Sequence, residues 1–287
     1  MKLIKLISII ILWTSPFQDI MCAEDHHSSP FNDHQQRRAT ASSQEENYIE
    51  DGCCAKCSRS SQNCCYQVMA KTCWNCIISG FQPARERSME LMELKPTDSL
   101  LLVGEGAGHD FDVLPREFNR KNLKAFDFSP EMVKQAKVRA ESLGIDDDSI
   151  FVGDAQALPF TTEKFNKIYF PLSLGSIPNP TLALREAERV LAPGGKIVIF
   201  EKLLDDGAEL GCCRKFLGFF TRCIFADISR NLTTMMGNSS SLKIVHYESA
   251  QGLIKGCWSC LGTHYRLAVL TRTTEFSELQ SMIANLS

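Results

Sequence analysis

The stretch Leu100–Asp110, LLLVGEGAGHD, constrains what this chain can fold into more than any other. Its apolar run suits a strand buried on both faces, which shows little alternation. Gly104, Gly106 and Gly108 come next at alternate positions, ahead of a segment expected to run as a helix to about Phe118. Glycine there permits positive φ and lets a ligand approach the backbone. A strand, a glycine turn and a helix form the leading edge of a doubly wound α/β sheet, where nucleotide-like ligands sit. The spacing is not the G-x-G-x-x-G of a dinucleotide fold, because His109 stands where its third glycine would be.

The strand–helix unit then repeats along the chain. Leu123–Asp127 reads as a strand that ends in a carboxylate, which places Asp127 beside the glycine loop and within reach of two ribose hydroxyls. Ser129-Pro130-Glu131 then starts a helix, with a hydroxyl cap and proline in the first turn, and Met132, Val133, Ala136 and Ala140 form its buried face. Ser149–Val152 is a third strand and leads into Gly153-Asp154-Ala155-Gln156-Ala157-Leu158-Pro159-Phe160. Phe165–Phe170 is a fourth strand. Leu184–Ala192 is helical, Pro193-Gly194-Gly195 a turn, and Lys196–Phe200 a fifth strand. Leu242–His246 and His264–Leu270 read as two closing strands, the last of them antiparallel.

These elements together resemble the class I S-adenosylmethionine-dependent methyltransferases: Gly-x-Gly-x-Gly, Asp127 at the second strand end, the Gly-Asp-Ala-x-x-Leu-Pro-Phe element and the Pro-Gly-Gly turn. The resemblance covers about residues 66–272. It lies nearest the branch of quinone-biosynthesis, phospholipid and small-molecule thiol methyltransferases. It implies a Rossmann-like, mostly parallel seven-stranded sheet and the cofactor S-adenosylmethionine. It also implies a cofactor site at Gly104, Gly106, Gly108, Asp127, Phe128, Met132, Asp154 and Ala155. Asp154 would meet the adenine amino group, and the Ala155 amide a ring nitrogen. The family carries Asp or Glu two residues before the first glycine, where this chain has Leu102. The sequence leaves open whether Glu105 takes that place.

The net charge of −3 and the absence of basic runs give no reason to expect a nucleic-acid partner. No Asn-Pro-Pro-Tyr-type element comes after the fourth strand, where Phe170-Pro171-Leu172-Ser173 stands, which argues against base methylation. A small-molecule or lipid-like acceptor is expected instead, and membrane contact and oligomeric state stay open. Tyr66, Tyr169, His109, His246 and His264 are base candidates by residue type alone. No metal site is expected.

The N-terminus is of another character. Residues 1–23 pair a charged start with a short apolar run and read as a signal peptide, the alternative being a membrane anchor. Residues 24–52 are polar enough to stay a disordered linker. A Cys-rich segment with N-terminal helices, broken at Pro83, spans 53–95, the methyltransferase-like domain 96–272 and a tail 273–287. Seven of the thirteen cysteines fall between Cys53 and Cys76. After a signal peptide they read as disulfides, with packed thiols or zinc as alternatives. The sequons at Asn231, Asn238 and Asn285 would permit glycosylation on a secretory route. The competing functional reading is a secreted Cys-rich binding protein on a lapsed methyltransferase scaffold.

Overall fold

The computed structural model describes residues 79–207, 227, 229–237, 241–254 and 264–272. The expected signal peptide and linker and all the cysteines lie outside these residues.

Seven strands form one sheet: β1 (Leu100–Val103), β2 (Leu123–Asp127), β3 (Ile150–Val152), β4 (Phe165–Pro171), β5 (Leu191–Lys202), β6 (Leu242–Ser249) and β7 (Tyr265–Arg272). Their order is β3-β2-β1-β4-β5-β7-β6. The first five are parallel, and β7 inserts antiparallel between β5 and β6. The order reverses at β1, between β2 and β4, which places the ligand crevice at the carboxyl end of β1.

Helices cover both faces, as a parallel sheet requires. On one face Leu100, Leu102, Tyr169 and Val198 pack with α1 (Gln82–Met92) and α2 (Pro130–Ser142). On the other, Leu101, Val103, Ile168 and Ile197 pack with α3 (Pro180–Val190) and α4 (Leu232–Met236). All four β1 residues are fully buried. Each contributes on the order of 1.5–3 kcal/mol of apolar burial, which is why this strand carries no polar side chain.

Three local expectations are corrected. The helix expected to run to about Phe118 is a short 3-10 turn, His109–Val113. Pro115 forces the residue before it out of helical geometry, and Leu114 is extended at φ −62, ψ 131. The Ser129 hydroxyl does not cap α2, although Pro130 does open it. The Pro193-Gly194-Gly195 turn lies inside β5, where it breaks the register with β4. Phe165 pairs with Leu191 and Lys167 next with Lys196. Gly195 is needed there, since a Cβ would sit 2.8 Å from the Asn166 carbonyl oxygen.

Candidate cofactor site

The glycine loop continues β1 and is pinned to β2, because the amides of Gly104 and Glu105 both donate to the Phe126 carbonyl at 2.9 and 3.1 Å. Gly104, Gly106 and Gly108 all have positive φ, at 71°, 63° and 82°. They differ in what surrounds them. A Cβ on Gly104 would meet the Ser173 Cβ at 2.5 Å, and one on Gly108 the Phe111 ring at 2.8 Å. At Gly106 nothing lies within 4 Å, so this is the side of the loop open to a ligand. Ser173 is held in turn by its hydroxyl, which donates to the Val103 carbonyl at 2.6 Å. Leu172 before it adopts φ 56°, a conformation that non-glycine residues hold only where the surroundings impose it.

Asp127 lies against the loop, as expected. Its Oδ2 accepts the Gly106 amide at 2.9 Å, and its Oδ1 the Ser129 amide at 2.8 Å. The second bond sets the Ser129 backbone at the start of α2, while the Ser129 hydroxyl is buried without making a cap bond. Each oxygen keeps another lone pair for a hydroxyl donor. Burial pushes the carboxyl above its ordinary range, against the pull of those amides. Asp154 lies at the next strand end, and the Gly153 amide donates to the Asp127 carbonyl at 3.0 Å. Its Oδ1 accepts both the Gln156 amide and the Gln156 side chain at 2.9 Å, and Gln156 Oε1 accepts from the Asn179 amide. The Gln156 amide group thus already makes the kind of bond that an adenine amino group would make. Phe128, next to Asp127 in the chain, is half-exposed, whereas Met132 and Ala155 are buried.

Sequence reasoning missed a polar cluster beneath the loop. Arg85 of α1 donates from Nε to Asp110 Oδ2 at 3.2 Å, with both side chains buried. The Asp110 amide donates to Glu105 Oε1 at 3.0 Å, and the Tyr169 hydroxyl to Ser88 Oγ at 3.1 Å. The adjacency of Glu105, His109 and Asp110 to the glycines was a signal in the sequence. Arg85 gave none.

The base candidates do not converge on the loop's open side. Tyr169 is buried, and its desolvation drives the phenol pKa up. His109 is buried and pushed down to about 3 by desolvation and by Arg139 and Arg85. His246 lies on β6 against Glu248 at 2.9 Å, His264 is exposed, and Tyr66 is outside the described residues. The Asn231 sequon is in structural use: its Oδ1 caps α4, and its amide donates to Leu204 O at 3.0 Å and Asp206 Oδ1 at 2.7 Å.

Residues 101–199 match the family model described as "Methyltransferase domain". Demethylmenaquinone methyltransferases of Bacillus cytotoxicus and Bacillus cereus are each 29% identical over 118 and 119 residues. Each match takes in 41% of this chain, and the chain spans about half the length of these curated relatives. Among solved structures, geranyl diphosphate C-methyltransferase from Streptomyces coelicolor A3(2), in complex with Mg2+, geranyl diphosphate and S-adenosyl-L-homocysteine, aligns with TM-score 0.54 at 17% identity. It covers 67% of this chain and 79% of that one. The YcgJ protein of Bacillus subtilis aligns with TM-score 0.51 at 16% identity, over 66% and 98%. The sheet order and these structural matches give the domain the class I methyltransferase fold, and residues 101–199 are similar to a methyltransferase domain. The geometry fits S-adenosylmethionine, because the loop is open at Gly106 and the Asp127 carboxylate lies beside it.

Proposed function

We propose that the protein is an enzyme that transfers the methyl group of S-adenosylmethionine to a small-molecule or lipid-like acceptor. The observation that carries this is the contact of Gly106 with Asp127 at the one glycine of the loop left open on its outer side. A bound cofactor brings its own activation, since a sulfonium methyl is a ready electrophile. The chain's part is therefore positioning and exclusion of water. Asp127 would hold the ribose hydroxyls, Asp154 and the Ala155 amide the adenine, and Phe128 the face of the ring.

The acceptor side is bounded by the loop after β4. There the Gly175 amide donates to the buried Glu201 Oε2 at 2.8 Å, and Ser173 holds the end of β1. A small lipid-like acceptor is favoured by the names of similar proteins, the demethylmenaquinone methyltransferases and the geranyl diphosphate C-methyltransferase. No general base is assigned, and none is required where the acceptor is nucleophilic at neutral pH. We also propose that residues 1–23 carry the chain into the secretory route. Expression with a C-terminal reporter tests this, and a cytosolic product retaining Met1 would refute it.

The activity is tested by incubating the full chain with S-adenosylmethionine labelled on the methyl group. The acceptors offered are a demethylated quinone, a phospholipid, a small thiol and a duplex oligonucleotide. Label in one of the first three supports the proposal. Transfer to the oligonucleotide alone, or saturable cofactor binding without transfer to any acceptor class, counts against it.

A further inference from the structure

We infer that Glu201 is a positioning residue for methyl transfer: its buried carboxylate holds the loop after β4, residues 172–176, at the acceptor side of the site. The inference rests on the methyl-transfer reading above. Glu201 is next to last in β5 and 3% exposed. The four residues before it, Ile197, Val198, Ile199 and Phe200, are apolar and fully buried. A carboxylate in such a place is costly unless donors meet its oxygens, and an apolar residue would fill the space without that cost. Oε1 accepts the Lys202 amide and Oε2 the Gly175 amide, each at 2.8 Å. The first bond is local to β5. The second reaches across to another loop, and no apolar residue could make it.

That loop lies where the acceptor has to come. β4 stands between β1 and β5, so its carboxyl end faces the crevice at the switch point. The Ser173 hydroxyl donates to the Val103 carbonyl at 2.6 Å, directly before the glycine loop. The Leu172 amide donates to the Phe200 carbonyl at 2.7 Å, with Leu172 held at φ 56°. Gly175 is gripped from two sides, its amide by Glu201 and its carbonyl by the Asp227 amide at 2.9 Å. Arg230 donates to the neighbouring Leu174 carbonyl. Arg230 and Lys202 also face the Glu201 carboxylate, and with the two amides they oppose the upward push of burial on its pKa. Methyl transfer needs the sulfonium methyl and the acceptor atom in line, and a misplacement of about 1 Å can slow such a step roughly a hundredfold. A loop released at Gly175 would misplace the acceptor while leaving the contact of Gly106 with Asp127 intact.

The test separates positioning from cofactor binding in the full chain. Wild type and Glu201→Gln are titrated calorimetrically with S-adenosylhomocysteine, then assayed with methyl-labelled S-adenosylmethionine. The acceptor probes are a demethylmenaquinol, phosphatidylethanolamine vesicles and thiophenol. Glutamine keeps the size of the side chain but brings one acceptor oxygen to two amides, and no charge. Glu201→Gln is expected to bind S-adenosylhomocysteine within about twofold of wild type and to lower kcat roughly tenfold or more on the probe that wild type methylates. Hydrogen exchange should quicken in the peptide containing Gly175 and stay unchanged in the peptide containing Gly106. A parallel loss of cofactor affinity, an unchanged kcat or unchanged exchange at Gly175 would each overturn the inference. If Glu201→Gln fails to fold, Glu201→Leu, which removes the buried charge together with the bond, is read by the same three measurements. Wild type that binds S-adenosylhomocysteine but methylates none of the probes overturns the methyl-transfer reading, and the inference with it.

Discussion

The Gly106 amide donates to Asp127 Oδ2 at 2.9 Å, across the gap between the ends of β1 and β2. The bond joins the glycine that is open on its outer side to the carboxylate expected to hold ribose. Loop and acid are thereby set before any ligand arrives, and the same carboxylate fixes the Ser129 amide at 2.8 Å and so the start of α2. Pre-setting of this kind lowers the ordering cost of binding.

Asp127→Ala should therefore weaken S-adenosylhomocysteine binding more than Asp154→Ala. The first loses charged hydrogen bonds worth about 1.5–3 kcal/mol each, which amounts to roughly tenfold or more in affinity. The second loses an acceptor that already shares its oxygens with Gln156. Titration of both variants, after their melting temperatures are shown to match wild type, checks the order. Equal affinities would contradict it.

Gly104→Ala and Gly106→Ala should fail in different ways. The first drives a methyl into Ser173 at 2.5 Å and adds left-handed strain, so the melting temperature falls. The second has room and incurs only the strain of φ 63°, roughly 1–2 kcal/mol. Its methyl group, however, stands on the ligand side, so binding should be lost while most of the stability remains. Thermal melts and titrations of the pair decide this.

Arg85→Ala should destabilise the fold by about 3–5 kcal/mol, because it strands the buried Asp110 carboxylate. Arg85→Met with Asp110→Leu should recover much of that loss. Urea unfolding of the single and double variants measures both. A single variant within about 1 kcal/mol of wild type would show that the pair is not a buried strut.

His109 predicts an acid limb. Its folded pKa lies at about 3, below the ordinary 6.5 of an exposed imidazole, so the folded state takes up a proton less readily than the unfolded one. Stability is full above the unfolded value and declines as pH falls from about 6.5 toward 3. His109→Gln should flatten the part of the melting curve between about pH 7 and 5 that this group supplies. Identical slopes in wild type and variant would refute the burial of a neutral imidazole.

Much of the fold was legible because its signals are local. Leu100–Val103 has no polar side chain for a solvated face, and Gly104, Gly106 and Gly108 sit where positive φ is needed. Asp127 was legible by its place at a strand end. The helix beyond the loop was misjudged because Pro115 outweighs the residues before it. The Ser129 cap was misjudged because residue type does not fix where a hydroxyl ends up, and this one is buried without a cap bond. The cluster of Arg85, Glu105, Asp110 and Tyr169 could not be read from the chain. It joins residues far apart in sequence, and its pairing depends on how α1 packs on the sheet.

Whether the loop on Asp127 is a working cofactor site is decided by calorimetric titration of the folded full chain with S-adenosylhomocysteine. Saturable one-to-one binding is expected in wild type, weakened at least tenfold by Asp127→Ala and abolished by Gly106→Ala. A folded wild-type protein without saturable binding would refute the site, and so would binding that neither substitution changes.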